Sequence, residues 1–289
     1  MCKVYEVVNS RILELLESGT VPWRKTWNAG SNMPRNIISK KEYRGVNVFL
    51  LACSEFSSPY WMTFKQCVDK GGHVIKGSKS TPVIFWKWLD RKDTETIDVD
   101  AVSGKIPMLR FYNVFNLEQT EGIEPPVTTE TINTFTPIEK AEQIIAAMPL
   151  RPEIKHGGNR ASYSPMLDYV KLSHQHTFDT IEHYYNTLFH ELSHATGHAN
   201  RLGRKGVTET SYFGSHEYSK EELVAEMGAA FLCGHAGIEN TLENSAAYLA
   251  GWLKALKNDK TLLIHAGAMA QKAADYILNI KPDVVEETE

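Results

Sequence analysis

Asn186–His198 reads N-T-L-F-H-E-L-S-H-A-T-G-H, with His190-Glu191-Leu192-Ser193-His194 at its centre. Ile181, Tyr185, Leu188 and Leu192 recur at helical spacing, so a helix is expected over Asp179–Thr196. On a helix, positions i and i+4 are neighbours on one face. His190 and His194 can therefore hold one metal ion, with Glu191 beside it as general base. A surface helix with two histidines and a solvated acid would show the same five letters. Context separates the two readings. The histidines lie next to the apolar face, Gly197 is suited to turn the chain away through a positive φ, and a glutamate-bearing helix follows about 25 residues later.

A third ligand must come from elsewhere. His198 continues an i, i+4, i+8 series, but eight residues of helix span about 12 Å, whereas Zn²⁺ holds its nitrogens at about 2.0–2.1 Å. The longer H-E-x-x-H-x-x-G-x-x-H pattern also fails, because Asn200 stands at its last position. The remaining candidates lie in Ser219-Lys220-Glu221-Glu222-Leu223-Val224-Ala225-Glu226, where Glu222 and Glu226 share a face. In one reading, which resembles gluzincins, Glu222 binds metal and Glu226 orients a ligand histidine. In the other, Glu222 closes a capping box with Ser219, and Glu226, among Leu223, Val224, Met227 and Phe231, is the buried acid that needs a cation.

Three protein ligands leave a fourth position for water, whose pKa Zn²⁺ lowers to about 7. Mn²⁺ or another divalent metal is the alternative ion. Glu191 is then placed to accept the proton and return it to a leaving amine. Tyr212 or Tyr218 could steady the oxyanion, with packing as the bland alternative for each. Arg160–Leu172 reads as turn and strand, a possible edge for holding a peptide. His174 and His176 could form a second metal pair, or simply a solvated loop.

Working outward, 289 residues suffice for two domains, and no run approaches the roughly 18 apolar residues of a membrane span. The four cysteines (Cys2, Cys53, Cys67 and Cys233) are far apart, and the start Met1-Cys2-Lys3-Val4 lacks a long apolar run, so a reducing cytoplasm is expected. The net charge of -4 conceals an asymmetry. Residues 1–89 carry about 13 Lys/Arg against 6 Asp/Glu; residues 119–289 carry about 14 against 23. Tyr5, Val8, Ile12, Leu15 and Leu16 predict an opening helix, Thr63-x-x-Gln66 a capping box, and Thr81–Leu89 and Met108–Phe115 two strands around a charged excursion at Asp90–Gly104. Gln119–Phe135, rich in Thr and Glu and without period, reads as linker; Thr136-Pro137-Ile138-Glu139 opens the next helix. The expected organisation is α+β, with an N-terminal domain over 1–118 built on a small sheet and a linker over 119–136. A mainly helical metal domain with a short sheet then covers 137–281, and an acidic tail 282–289.

The basic half is also aromatic. Trp23-Arg24-Lys25-x-Trp27, Tyr43-Arg44, Trp61 with Lys65, Lys76-x-x-Lys79 and Phe85-Trp86-Lys87-Trp88 set cations beside rings. Single-stranded nucleic acid is bound by that mixture, rings stacking on bases and cations tracking phosphates. Alternate residues of Thr81–Leu89 must nevertheless fill a core, which claims Val83 and Phe85 first.

Several of these segments, in order, resemble the N-terminal domain of ArdC-type antirestriction proteins, which also occurs in TraC-like plasmid primases. They are Pro22-Trp23-Arg24-Lys25-x-Trp27, Tyr43-Arg44-Gly45-Val46-Asn47, Trp61-Met62-Thr63-Phe64-Lys65-Gln66, Gly71-Gly72-x-Val74-x-Lys76-Gly77 and Val114-Phe115-Asn116. His190–His194 followed by Glu221–Glu226 resembles the zincin-type metallopeptidase domain that accompanies it. The resemblance reaches to about Ile280. It implies single-stranded DNA as a partner of the first domain, a zinc-dependent second domain, and protection of a mobile element's incoming DNA from host restriction-system proteins. A different reading keeps the DNA binding but makes the metal a structural staple without proteolysis; a metallonuclease is a third.

Overall fold

The computed structural model describes residues 3–24, 33–54, 56–89, 106–126, 137–209, 216–238 and 246–281. The excursion at 90–104, most of the expected linker, the tail, Lys25, Trp27 and Tyr212 lie outside them, as do the side chains of Arg24 and Lys87.

Helix α1 (Lys3–Glu17) buries Val4, Val8, Ile12 and Leu16, one residue per turn along a single stripe. It ends at Gly19, whose φ of 86° suits a residue without a β-carbon. Two short strands, β1 (Arg35–Asn36) and β2 (Tyr60–Met62), pair in parallel. The long hairpin of β4 (Thr81–Leu89) and β5 (Ile106–Asn116) completes a sheet ordered β1-β2-β5-β4. Between β1 and β2 runs α2 (Val46–Ala52), and its Asn47 accepts from the Ile84 N–H at 2.7 Å and donates to the Ile84 carbonyl at 2.8 Å. That side-chain amide acts as a surrogate strand along the outer edge of β4. The capping box expected at Thr63 opens α3 (Phe64–Asp69).

The stretch expected as linker starts inside this fold. Gln119 is buried and accepts from Asn116 N–H at 2.8 Å, and β6 (Thr120–Glu121) pairs with β3 (His73–Val74). At its start the stretch shows no period because the three-residue helical turn Leu117–Gln119 and the two-residue β6 are too short for one.

In the second half α4 (Pro137–Ala147) precedes β7 (Glu153–His156), β8 (Ser162–Ser164) and β9 (Tyr169–Leu172), a sheet ordered β7-β9-β8 with β8 on the outside. Among the described residues the α-helices that follow are α5 (Ile181–Ala195), α6 (Lys205–Thr208), α7 (His216–Ala236), α8 (Ala246–Asn258) and α9 (Leu262–Ile277). Thr180 caps α5, its hydroxyl accepting from His183 N–H at 3.1 Å. Helix α7 is apolar nearly all round, burying Leu223, Val224, Ala225, Met227 and Ala229–Cys233, because it lies at the centre of the helical layer.

The architecture is α+β with two domains, and the two halves share one hydrophobic core. Phe49 of α2 stacks on Phe231 of α7 with centroids 4.8 Å apart, Asn9 of α1 donates to the Leu256 carbonyl of α8 at 3.2 Å, and Gly45 N–H donates to Gln271 of α9 at 2.9 Å. Arg44 is ion-paired with Asp275 of α9. Trp23 is 1% exposed, packs edge-on against Trp252 and donates to the Tyr248 hydroxyl at 3.1 Å. Trp61 is 2% exposed in a smaller cluster with Tyr43, Leu51, Val83 and Val114. Neither ring can stack on a base, and the reading that placed both at the nucleic acid is corrected accordingly. Composition cannot distinguish a ring that fills a core from one that meets a ligand. Phe85 errs the other way: expected in the core, it is exposed, its ring edge-on to Tyr112.

Candidate metal centre

Helix α5 brings His190 and His194 to one face, and α7 crosses beside it carrying Glu221 and Glu222. The crossing is close because both helices are small there. A β-carbon on Gly228 would lie 2.6 Å from Ser193 Oγ, and that hydroxyl is folded back onto the Phe189 carbonyl at 2.8 Å. The two imidazole Nε2 atoms are 3.1 Å apart; Glu222 Oε1 is 3.6 Å from His194 Nε2, and its Oε2 is 3.7 Å from His190 Nε2. A tetrahedral ion with ligands at 2.0–2.1 Å sets its ligand atoms about 3.3 Å apart, close to these separations, with each histidine facing a different oxygen of Glu222. Among the described residues, His190, His194 and Glu222 are the group whose donor atoms converge within 4.8 Å. Glu226 is not part of it, and neither is His198, whose Nδ1 accepts from Asn200 N–H at 3.2 Å.

The carboxylate behind His194 is Glu221, at 3.2 Å from Nδ1. This contact points Nε2 toward His190 and Glu222. Glu221 is held in turn by Arg204, which donates from Nε to Oε2 at 2.9 Å and from Nη2 to Oε1 at 2.6 Å. The same guanidinium donates to Thr196 Oγ1 at 2.6 Å and to the Ser193 carbonyl at 2.7 Å, locking the end of α5. Burial would raise the Glu221 pKa, but Arg204 and His194 outweigh it and keep it below the usual carboxylate range. For His194 burial would depress the pKa, and Glu221, Glu222 and Glu191 raise it instead. Gly197 serves this network differently from the expectation. It does not take a positive φ; a β-carbon there would lie 2.5 Å from Val207 Cγ2 and 3.0 Å from Arg204 Nη2.

Glu191 is buried at the floor of a cleft of about 440 Å³, lined also by His190, His194, Glu222, Tyr163, Pro165 and Tyr218. Burial pushes its pKa up to about 7, with the His194 charge and the Tyr163 N–H working against the rise and Glu222 adding to it. A carboxyl near neutrality can both take and give a proton. Tyr218 is pushed up to about 12 by burial and by Glu222 and Glu191, so its phenol stays a donor. β8 forms one wall of the cleft with its outer edge. His174 and His176 lie elsewhere, their rings stacked 5.6 Å apart beside His156.

Of the residues expected at nucleic acid, Lys65, Lys76 and Lys79 are exposed on α3 and the turn after β3, next to exposed Phe64, Val68 and Ile75. Arg44 is half-exposed and engaged with Asp275. Arg204 and Glu221 carry the site's internal support, and sequence reasoning missed both roles. Glu221 could have been flagged only by its place beside Glu222; nothing in the spacing around Arg204 signals it.

This fold and donor set define a zincin-like domain joined to a smaller α+β domain. A family model described as a zincin-like metallopeptidase matches residues 139–269, and one described as the N-terminal domain of anti-restriction factor ArdC matches residues 2–115. Crystal structures of the antirestriction protein ArdC from plasmid R388, metal-free and Mn(II)-bound, are 34% and 33% identical to this chain, with TM-scores of 0.76 and 0.77. They cover 96% and 97% of this chain and 98% of their own. The chain belongs to the ArdC family of antirestriction proteins. A DNA primase TraC of Escherichia coli is 35% identical over 98% of this chain, but the chain spans 28% of that primase. An uncharacterised protein of Sinorhizobium fredii, y4eC, is 32% identical, covering 95% of this chain and 91% of its own length. Among the described residues no helix is long and apolar enough to cross a membrane.

Proposed function

We propose that this chain is an antirestriction protein of a mobile element, acting in the cytoplasm of the cell that receives the DNA. Its first domain binds single-stranded DNA and its second is a zinc-dependent peptidase directed at a host restriction-system protein. The observation that carries this reading is the convergence of His190, His194 and Glu222 around a cleft floored by Glu191. Two imidazoles and a carboxylate suit Zn²⁺ and also accept Mn²⁺, the ion bound in the R388 relative. When bound there, the ion supplies Lewis acidity that activates water and polarises a carbonyl. Glu191 takes the proton of the attacking water and hands it to the leaving amine. Tyr218 donates a hydrogen bond toward the developing oxyanion, and the outer edge of β8 holds an extended peptide.

Glu191→Gln tests the peptidase reading. Hydrolysis is expected to fall by on the order of 10²–10⁴-fold, while metal content by elemental analysis stays at the parent level. Glu222→Ala should lose the metal and Glu226→Ala should keep it. If Glu191→Gln still protects incoming DNA as well as the parent does, the metal is a structural staple and proteolysis plays no part.

The nucleic-acid surface is assigned to Lys65, Lys76 and Lys79, with Phe64 as the exposed ring beside them. Each phosphate contact on a single strand contributes about 0.7 to the slope of log affinity against log salt. Lys76→Glu/Lys79→Glu should therefore weaken binding of a single-stranded oligonucleotide and lower that slope by about 1.4. An unchanged slope in a salt titration would move the binding surface elsewhere.

A further inference from the structure

The turn after β8 begins at Pro165 on the cleft wall and holds apolar side chains out into solvent. Tyr163 turns its N–H to the Glu191 carboxylate. A strand residue sends its N–H and C=O to the same side, so the Tyr163 carbonyl also faces the cleft, while β8 pairs with β9 along its other edge. Pro165, which lines the cleft, has no N–H to offer a peptide laid along this edge. The next two residues are Met166 and Leu167, 93% and 68% exposed. Leu150 is 68% exposed as well.

These side chains stand on a braced frame. Asp168, at a φ of 46°, accepts from Arg201 at 2.8 and 2.9 Å and from the Tyr163 hydroxyl at 2.8 Å. The same guanidinium donates to the Leu150 carbonyl at 2.9 and 2.7 Å and to the Ala195 carbonyl of α5 at 3.0 Å. One buried cation thus ties the end of α5, the Leu150 turn and the β8–β9 turn together. Leu150 is thereby held beside the turn that carries Met166 and Leu167.

We infer that Met166 and Leu167, backed by Leu150, form an apolar subsite that selects the substrate. Its occupant is an extended polypeptide that carries an apolar side chain just beyond the segment paired with β8. This rests on the peptidase reading above and adds the substrate class: unfolded or extended segments with an apolar residue, rather than polar or charged tails. The occupant is argued from continuity, because the subsite begins one residue past Pro165 on the cleft wall. Methionine suits such a place, being flexible and polarisable. Covering one such side chain is expected to change affinity about tenfold.

The test uses full-length protein carrying Glu191→Gln, loaded with Zn²⁺, and two fluorescein-labelled ten-residue peptides of Gly and Ser. One carries a central Leu-Phe-Leu and the other Ser-Thr-Ser. By fluorescence anisotropy the apolar peptide should bind about tenfold tighter, and adding Met166→Ser/Leu167→Ser should level the two at an unchanged melting temperature. Equal affinities in the parent, no binding of either peptide, or a preference that survives the double substitution would overturn the inference. Protein with Glu191 intact is then incubated with the apolar peptide. Tight binding without cleavage sinks the peptidase reading and leaves the subsite standing as a polypeptide-binding one.

Discussion

An Arg204→Ala protein is expected to melt far below the parent and to bind divalent metal weakly. Arg204 is buried, and four of its hydrogen bonds go to Glu221, Thr196 and Ser193. Removing it leaves the buried Glu221 carboxylate with His194 as its remaining charged neighbour and takes one of two donors from the Ser193 carbonyl, which keeps the Thr196 hydroxyl. Breaking a buried ion pair by deleting one partner costs about 3–5 kcal/mol. At 2–4 °C per kcal/mol for chains of 150–250 residues, the melting temperature should drop on the order of 10 °C. The second consequence is chemical. Glu221 orients the His194 ring, and loss of such an outer partner typically weakens metal affinity about 10–100-fold. Arg204→Lys should recover little, since one ammonium cannot span both carboxylate oxygens, a hydroxyl and a carbonyl at once. Scanning calorimetry with and without Zn²⁺, followed by metal titration of the folded variant, reads both effects. A variant that melts within about 2 °C of the parent and binds metal equally well would show that the guanidinium is incidental to the site.

Residues of this centre were legible in the sequence to the degree that they follow a local period. The i, i+4 pair on α5 reports itself, as do the one-per-turn stripe of α1 and the capping box at Thr63. Glu221 is different. Which carboxylate stands behind His194 depends on which face of α7 meets α5, and Gly228 packs against Ser193 about two helical turns further along α7. Arg204 sits in a loop of no periodicity, and its role exists only once α5, α6 and α7 are assembled. β7 leaves no signal in the sequence, since Glu153-Ile154-Lys155-His156 is short and mostly polar; it is a strand because β9 offers it an edge. Ile84 and Asn47 make the same point for the first domain: a side-chain amide satisfying a strand edge leaves no mark on composition.

The tryptophans set sequence and structure most directly against each other, and Trp23→Ala decides between them. Read from composition, Trp23 belongs to a basic-aromatic loop and should stack on bases, so its loss would cost DNA affinity at constant stability. Read from the structure, its ring is buried between the two halves, edge-on to Trp252 and bonded to Tyr248. Truncating such a ring costs about 3–5 kcal/mol through lost burial and the cavity left behind. The expected result is therefore a melting temperature lower by on the order of 10 °C, with affinity for a single-stranded oligonucleotide, measured well below the transition, within about twofold of the parent, which is less than 0.5 kcal/mol. The hydrogen bond from Trp23 to the Tyr248 hydroxyl goes in the same step, so Tyr248→Phe/Trp23→Ala should cost less than the sum of its parts. Loss of DNA affinity at an unchanged melting temperature would put the ring at the nucleic acid after all. The contrast with Lys76→Glu/Lys79→Glu matters because it runs the other way. Charge on an exposed turn should alter binding and its salt dependence while leaving the melt in place. If both patterns are found, the aromatic half of the motif holds the two domains in one core, and the basic half is what remains to meet DNA.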